Sequence, residues 1–438
     1  MVTALSCLWR QRQTPAAVPA RSDRHNRNLP RNRPGQPTRS PRPVRLRSQF
    51  ITDPADINPA AWNALLATQA TPTPFMRHEY LAALHTSGSA VARTGWAPHF
   101  LLLHEGEELV AACPLYVKAH SYGEYVFDWA WANAYAEHGL RYYPKALVAV
   151  PFTPVPGSRL LARDAAARAA LVRALIDWCG QKKVSSLHVL FGDAADRAAC
   201  DDAGLMQRSQ VQFHWQNRHP ATGSPFASFD DFLASLTQEK RKKIRQERRK
   251  VMDAGVRFRW ARGADIAAED WGFFYRCYER TYLEHGNAPY LTPAFFAAMA
   301  QHMAEDWVLF IAERDGQSIA SSLIAVGACP SSAGSPKGLN PVAYGRYWGA
   351  LERVDCLHFE ACYYQPIDWC IQHGVARFEG GAQGEHKMAR ALMPVATASS
   401  HWLAHPAFAD AVERFLARES EGIEGYLAHL DERSPFRH

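Results

Sequence analysis

Glu379–Lys387, EGGAQGEHK, holds the densest set of groups able to do chemistry. Glu379, Glu385, His386 and Lys387 bring acid, base and cation into one short segment, and Gly380, Gly381 and Gly384 let backbone approach a ligand closely. The segment Val375–Phe378 just before it reads as a strand, and ligands of α/β sheets gather beyond the carboxyl ends of strands. Proton transfer and stabilisation of negative charge are the chemistry such a loop supports. Gly381 and Gln383 within it, and Arg390 just beyond, are candidate binding groups. A solvated turn with an ordinary surface ion pair is the competing reading of the same residues.

A second candidate is CLHFEACYY, Cys356–Tyr364, expected to open a helix that ends at Cys370 with Asp355 as its N-cap. Cys356, Phe359, Tyr363, Ile367 and Cys370 follow helical spacing and read as core, which leaves His358 and Glu360 off the stripe. The third is HSYGEYVFDWAWANAY with the HGLRYYPK that follows it. It combines Tyr122, Tyr125, Trp129, Tyr142 and Tyr143 with Glu124, Asp128, Asn133 and Lys145, and polar-tipped aromatics beside carboxylates suit a site that grips a polar acceptor. Phe127, Trp129 and Trp131 alternate, so an aromatic-rich strand and its loop is the plainer reading. No G-x-S-x-G elbow points to a serine hydrolase, and no G-x-x-x-x-G-K-[ST] loop points to a nucleotide phosphate site. None of the nine cysteines forms a C-x-x-C pair or sits at zinc-ligand spacing, so neither a metal nor a disulfide framework is expected, and a reducing cytoplasm is the default.

The elements that must position these residues can be read from pattern. Of 438 residues, 47% are hydrophobic and 21% charged, ordinary for a globular chain with more than one core. Residues 1–48 contain eleven arginines, no lysine and one acid, Asp23, so the basic balance lies there and the remaining chain carries −4. Prolines recur through this segment, and it is expected to be a disordered extension, or to lie upstream of a true start near Val44 or Leu46. Asn58 and Pro59 read as the N-cap and first position of a helix. His99–Val117 and Trp307–Val326 each read as a β-hairpin turning at Gly106 or Gly316. Two helical stretches precede each hairpin. A helix carrying the tetrapeptide Ile-Asp-Trp-Cys follows each, at Ile176–Cys179 and Ile367–Cys370, and then a further strand. The matched order predicts a tandem duplication of the mixed α/β (α+β) class, with one large α/β domain as the plainer alternative, a boundary near His219–Pro225 and a loop insertion at Gly327–Pro341.

The motifs PFMRHEYLAAL (Pro74–Leu84), HSYGEYVFDWAWANAY (His120–Tyr135), YYPKALVAVPFTPVPGSRLL (Tyr142–Leu161), YWGALERVDCLHFEACYYQ (Tyr347–Gln365) and FEGGAQGEHKMARALMP (Phe378–Pro394) resemble the FemAB-like predicted N-acyltransferases of bacteria, within the GNAT superfamily, over Phe50 to Leu403. The resemblance implies two GNAT-like domains, 49–222 and 223–405, each a mixed sheet flanked by helices, with a C-terminal helix over 406–438 packed on the second. It implies direct attack of an amine on a bound thioester or ester, which needs a base, backbone donors and positioning rather than a covalent nucleophile. Lys387 lies where Fem-type enzymes carry a lysine before their final strand. An aminoacyl-tRNA-dependent peptidyltransferase acting on a peptidoglycan precursor and a non-catalytic binding module remain alternatives. No tightly bound cofactor is expected. The donor, acyl-CoA or charged tRNA, stays open because ALERVDCLHF stands where acetyl-CoA-using relatives carry a glycine-rich pyrophosphate loop. The acceptor is expected to be a small-molecule or peptide amine. The basic run Lys240–Lys250 is a candidate contact for tRNA phosphates or an anionic lipid surface, and otherwise a solvated helix face.

Overall fold

The computed structural model describes residues 46–329, 340–381 and 384–437. Its strands are β1 (Leu46–Ile51), β2 (Trp96–Pro98), β3 (Phe100–Glu105), β4 (Glu108–Cys113), β5 (Leu115–Lys118), β6 (Lys145–Val148), β7 (Leu161–Ala162), β8 (Ser186–Leu190), β9 (Met206–Gln216), β10 (Arg257–Arg262), β11 (Trp307–Arg314), β12 (Gln317–Cys329), β13 (Asn340–Ala350), β14 (Arg377–Glu379) and β15 (Met393–Leu403). Both expected hairpins form, as β3–β4 and β11–β12. Gly106 and Gly316 sit at their turns with φ of 62° and 75°, a region glycine enters without a Cβ penalty. Asn58 caps the helix Pro59–Ala67 by accepting from the Ala60 and Ala61 amides, with Pro59 at its first position. The two tetrapeptides lie in the helices Ala165–Lys182 and Gln365–Gln372, each followed by a strand, β8 or β14. The chain is thus of the mixed α/β class anticipated above.

The sheets show how the two halves are joined. A small sheet has the order β1-β3-β4-β7, and a large one runs β10-β11-β12-β13-β14-β9-β15-β8-β6-β5-β2. Among the described residues only β6–β8 and β13–β14 pair in parallel, one pair in each half. The closing strands are exchanged: β9, from the first half, pairs with β14 of the second, while β15, from the second, pairs with β8 of the first. The core follows the same logic, since Phe75 meets Trp307 and Tyr344 edge-on and Tyr80 meets Phe295. The boundary expected near His219–Pro225 falls in the turns after β9.

Three expectations need correcting. Of the segment 1–48, residues 1–45 lie outside the described residues, but Leu46–Ser48 belong to β1 and pair with β3; Leu46 and Phe50 pack on the apolar interior, where Phe50 stacks on Trp178. Trp129–Glu137 is a helix rather than a strand, and it buries Trp131 and Tyr135, one turn apart, while leaving Phe127 and Trp129 exposed. The C-terminal helix, Pro406–Glu432, does not pack on the second half alone. Its start covers Trp131, Tyr135 and Tyr142 of the first half, Glu419 pairs with Arg208 of β9 at 2.8 Å, and its end brings Leu430 into the second-half core. Of the insertion 327–341, residues 330–339 lie outside the described residues. Among the described residues no helix is long and apolar enough to cross a membrane.

Candidate active site

β13 and β14 pair over only three positions, Val342 with Arg377, Ala343 with Phe378 and Tyr344 with Glu379. Beyond them β13 continues to Ala350 while the chain after β14 turns away at Gly380–Gly381, so the two backbones part. A cavity of about 250 Å³ opens there, walled by β12 at Ser322–Ile324, by β13 at Gly345–Trp348, by His358, Cys362 and Tyr363, and by Gly380 and Gly381. Tyr125 and Pro154 from the first half and Tyr282 close it. Glycine is required at the turn. A Cβ on Gly380 would stand 2.4 Å from Leu392, and Gly381 has a φ of 77°.

Two irregularities shape the walls. The β12–β13 register steps from Leu323–Tyr347 to Ile324–Gly345, which leaves Arg346 as the extra residue of a β-bulge, a device that re-aims a side chain out of the ladder. The helix expected to start regularly at Cys356 does not. Cys356 is left-handed, Leu357–Phe359 make one short turn, and Glu360–Tyr364 form a π-helical turn before Gln365–Gln372. Asp355 is not its N-cap, because its carboxylate is taken by Lys250 Nζ at 2.7 Å.

The predicted residues separate into distinct groups. Gly381 and His358 line the cavity. Lys387 lies just behind that wall, 3% exposed, on the 3₁₀ turn Glu385–Arg390, and donates from Nζ to Gly381 O at 3.0 Å. Burial pushes its amine down to about 8, against a small opposing pull from Cys362. Burial likewise lowers His358 to about 4, helped by His386, Arg390 and Lys387. His386 is exposed, its Nε2 3.4 Å from the Tyr363 hydroxyl. The others are engaged elsewhere. Glu360 is held by Arg248 at 3.1 Å and Gln365 at 2.7 Å, and Glu379 by Arg377 at 2.9 Å, with His214 3.8 Å away. Glu385 is exposed and accepts from Tyr426 at 2.6 Å. Arg390 donates to Glu247 at 2.9 Å and stacks over Phe359. Gln383 lies outside the described residues. Sequence reasoning missed Arg346, Tyr347, Trp348, Cys362 and Tyr282. The available signal was a single arginine inside an otherwise aromatic and glycine-rich strand, GRYWGA.

The aromatic and acidic residues of the first half form a closed network. Lys145 Nζ donates to Ser121 Oγ and Glu124 Oε2, each at 2.7 Å, and to Asp128 Oδ2. Tyr142 donates to Asp128 at 2.6 Å and stands 3.1 Å from His188 Nε2. Lys118, fully buried over the Trp96 ring, lies 3.9 Å from Glu124. Lys145, Glu124, Asp128 and Tyr142 are thus spent on one another. Tyr143 joins at the edge through Ser121, while Tyr122, Trp129 and Asn133 face solvent. Tyr125 alone of this set reaches the cavity.

The network ends in a histidine pair with a consequence for acid stability. His188 Nδ1 and His401 Nδ1 are 2.7 Å apart, so one must donate and the other accept, and the two cannot both be cationic without setting N–H against N–H. Burial lowers His188 to about 3, with Lys145 adding to the effect, and holds His401 well below its ordinary value. Both folded values are depressed, so the stability is present above the unfolded histidine pKa and is lost as pH falls. Unfolding free energy should drop by about 2 kcal/mol from His188 alone between pH 6.5 and 4.5. Urea midpoints across that range check this, and a slope unchanged in His188→Gln would remove the pair as its source.

A family model for FemAB-like proteins, described as peptidoglycan biosynthesis/recognition, matches residues 53–438. No match is found among curated proteins. Among solved structures, FemX is 11% identical over 82% of this chain and 98% of its own, with a TM-score of 0.49. L-PGS from Bacillus licheniformis is 10% identical over 82% and 97%, with a TM-score of 0.47. A tandem GNAT protein from the clavulanic acid biosynthesis pathway is 12% identical over 83% and 99%, with a TM-score of 0.41.

Proposed function

We propose, for a chain that belongs to the FemAB-like family over residues 53–438, an N-acyltransferase that moves an acyl or aminoacyl group onto an amine acceptor by direct attack, the acceptor being a small-molecule or peptide amine. One observation carries the reading: the parallel strands β13 and β14 part over a cavity that has a bulged strand on one side and a glycine turn backed by a buried lysine on the other. The amine nitrogen forms the new C–N bond, and the C–S or C–O bond of the donor breaks. The proton lost by the amine ends on the departing thiol or hydroxyl. His358, neutral at pH 7 and at the cavity wall, can take that proton in transit, and Lys387 supplies positive charge beside the carbonyl oxygen as it becomes anionic. Purified protein offered acetyl-CoA or aminoacyl-tRNA with a panel of amines, and read by product mass, tests the reading. No N-acylated product with any donor would overturn it.

Charged tRNA as donor is supported by one further feature. On the helix Gln238–Asp253, Lys242, Lys243 and Arg249 are exposed, whereas Arg248 is held by Glu360 and Lys250 by Asp355. Reversing Lys242, Lys243 and Arg249 to Glu should therefore spare the fold. It should weaken tRNA binding and flatten the log–log salt dependence by about two to three units. Unchanged tRNA affinity from low to high salt would leave the run a solvated face and favour acyl-CoA. Arg248 is unsuitable for this test because its loss would strand the buried Glu360.

A further inference from the structure

We infer that the cavity beside β13 receives a substrate bearing one carboxylate, of the amino-acid or peptide kind, and that this group pairs with Arg346. The inference deepens the acyl-transfer reading and rests on it for calling the bound molecule a substrate. As the extra residue of the bulge, Arg346 leaves the ladder and lines the cavity together with Tyr125, Tyr282 and Tyr347. Its Nη2 donates to Phe152 O at 2.9 Å, Thr153 Oγ1 at 3.3 Å and Tyr347 Oη at 3.2 Å, all neutral acceptors. Nε is buried without a hydrogen-bond partner. Its charged face is bordered by rings, with the Phe75 and Tyr347 centroids each 5.0 Å from the guanidinium carbon. Among the described residues no carboxylate pairs with it, whereas the buried Arg390 has Glu247 and Arg168 has Asp196.

A guanidinium stays charged at any working pH, and Arg346, half-buried with its Nε closed off from water, bears part of the cost of a charge that lacks a counter-ion. An anionic group entering the cavity would relieve that cost and gain charge-assisted hydrogen bonds from donors already held in place. Among the described residues that line the cavity Arg346 alone is cationic, which matches a singly charged group, and the planar head suits a planar carboxylate. Phe152 and Thr153, which fix Nη2, belong to the first half, so the same contact sets the geometry of a second-half site from across the molecule.

Isothermal titration of the full chain with N-acetyl-L-alanine, with its amide N-acetyl-L-alaninamide, and with inorganic phosphate tests the assignment. The acid should bind wild type at least about tenfold more tightly than the amide. That preference should fall to within about twofold in Arg346→Gln, and phosphate should not displace the acid at matched concentration. Equal affinity for acid and amide in wild type overturns the proposal even where Arg346→Gln fails to fold. So does a preference that survives in the folded variant, and displacement by phosphate would assign the site to a different anion. Transfer without any acid preference sinks this inference alone. A preference for the acid without transfer to any amine supports it and sinks the acyl-transfer reading instead.

Discussion

Lys387→Ala should lower the turnover of acyl transfer by about 10²–10³, with little change in the melting transition. Loss of one preorganised electrostatic contact to a developing oxyanion costs about 3–4 kcal/mol of barrier. Lys387 is buried, and its Nζ donates to Gly381 O at the cavity wall. An exposed lysine such as Lys182 contributes well under about 1 kcal/mol to anything, so Lys182→Ala is the control. The pH profile adds a second test. Burial holds the Lys387 amine at about 8, so its charge is present below that pH and is lost as pH rises through it. Turnover that depends on the ammonium should therefore fall on the alkaline side near pH 8. Lys387→Arg should keep its charge and lose that limb while turning over slowly, because the planar head group does not fit the lysine site. Glu385→Gln, which the crowding of charges in EGGAQGEHK would make severe, should be mild, since Glu385 faces solvent beside Tyr426 and Arg433. If Lys387→Ala keeps more than about a tenth of wild-type turnover, well above what loss of such a contact leaves, the role passes to His358, which lines the cavity directly.

The parts of this protein that were legible in its sequence are those set by local chemistry. Apolar runs on either side of Gly106 and Gly316 specify hairpins, and Asn58-Pro59 specifies a helix start, because turn and cap geometry depend on residues a few positions apart. The glycine turn after β14 was legible for the same reason. The exchange of β9 and β15 was not, since pairing across halves depends on which edge lies free in three dimensions. Nor could spacing show that Glu360 and Glu379 are paired away by Arg248 and Arg377, or that a bulge swings Arg346 into the cavity. The alternation Phe127, Trp129, Trp131 misled because three residues fit a strand as well as a turn of helix; the buried pair Trp131 and Tyr135, four residues apart, reveals the helical period.

The second large effect is expected at Lys145, outside the cavity lining but tied to it through one loop. Lys145 is fully buried and binds Glu124, Asp128 and Ser121 at once. Lys145→Met removes the cation bound to both and leaves two buried carboxylates on the same loop with only Lys118, 3.9 Å from Glu124, near them. Breaking a buried ion pair by removing one member costs about 3–5 kcal/mol, far more than the intact pair contributes against a well-packed apolar replacement. The urea midpoint should fall accordingly, and adding Glu124→Gln and Asp128→Asn should recover most of the loss, because neutral amides need no counter-ion. The direction with pH is also fixed. Burial already raises Glu124 to about 7, while Asp128 is kept at about 2 against its burial chiefly by Lys145. Without the lysine both folded values rise. A raised carboxyl contributes stability below its unfolded pKa and loses it as pH climbs through the folded value, so the deficit of Lys145→Met should be small near pH 5 and grow toward pH 8. A deficit under about 1 kcal/mol, or one that is flat over that range, would mean that packing rather than charge holds the cluster. Tyr125 follows Glu124 directly, sits at a φ of 61° and closes the cavity, a backbone state that persists only where its surroundings enforce it. At pH 8, under conditions where Lys145→Met is still folded, its transfer rate should therefore fall as well, and the triple variant should regain stability before it regains rate, since neutral side chains fill the space without clamping the loop that carries Tyr125.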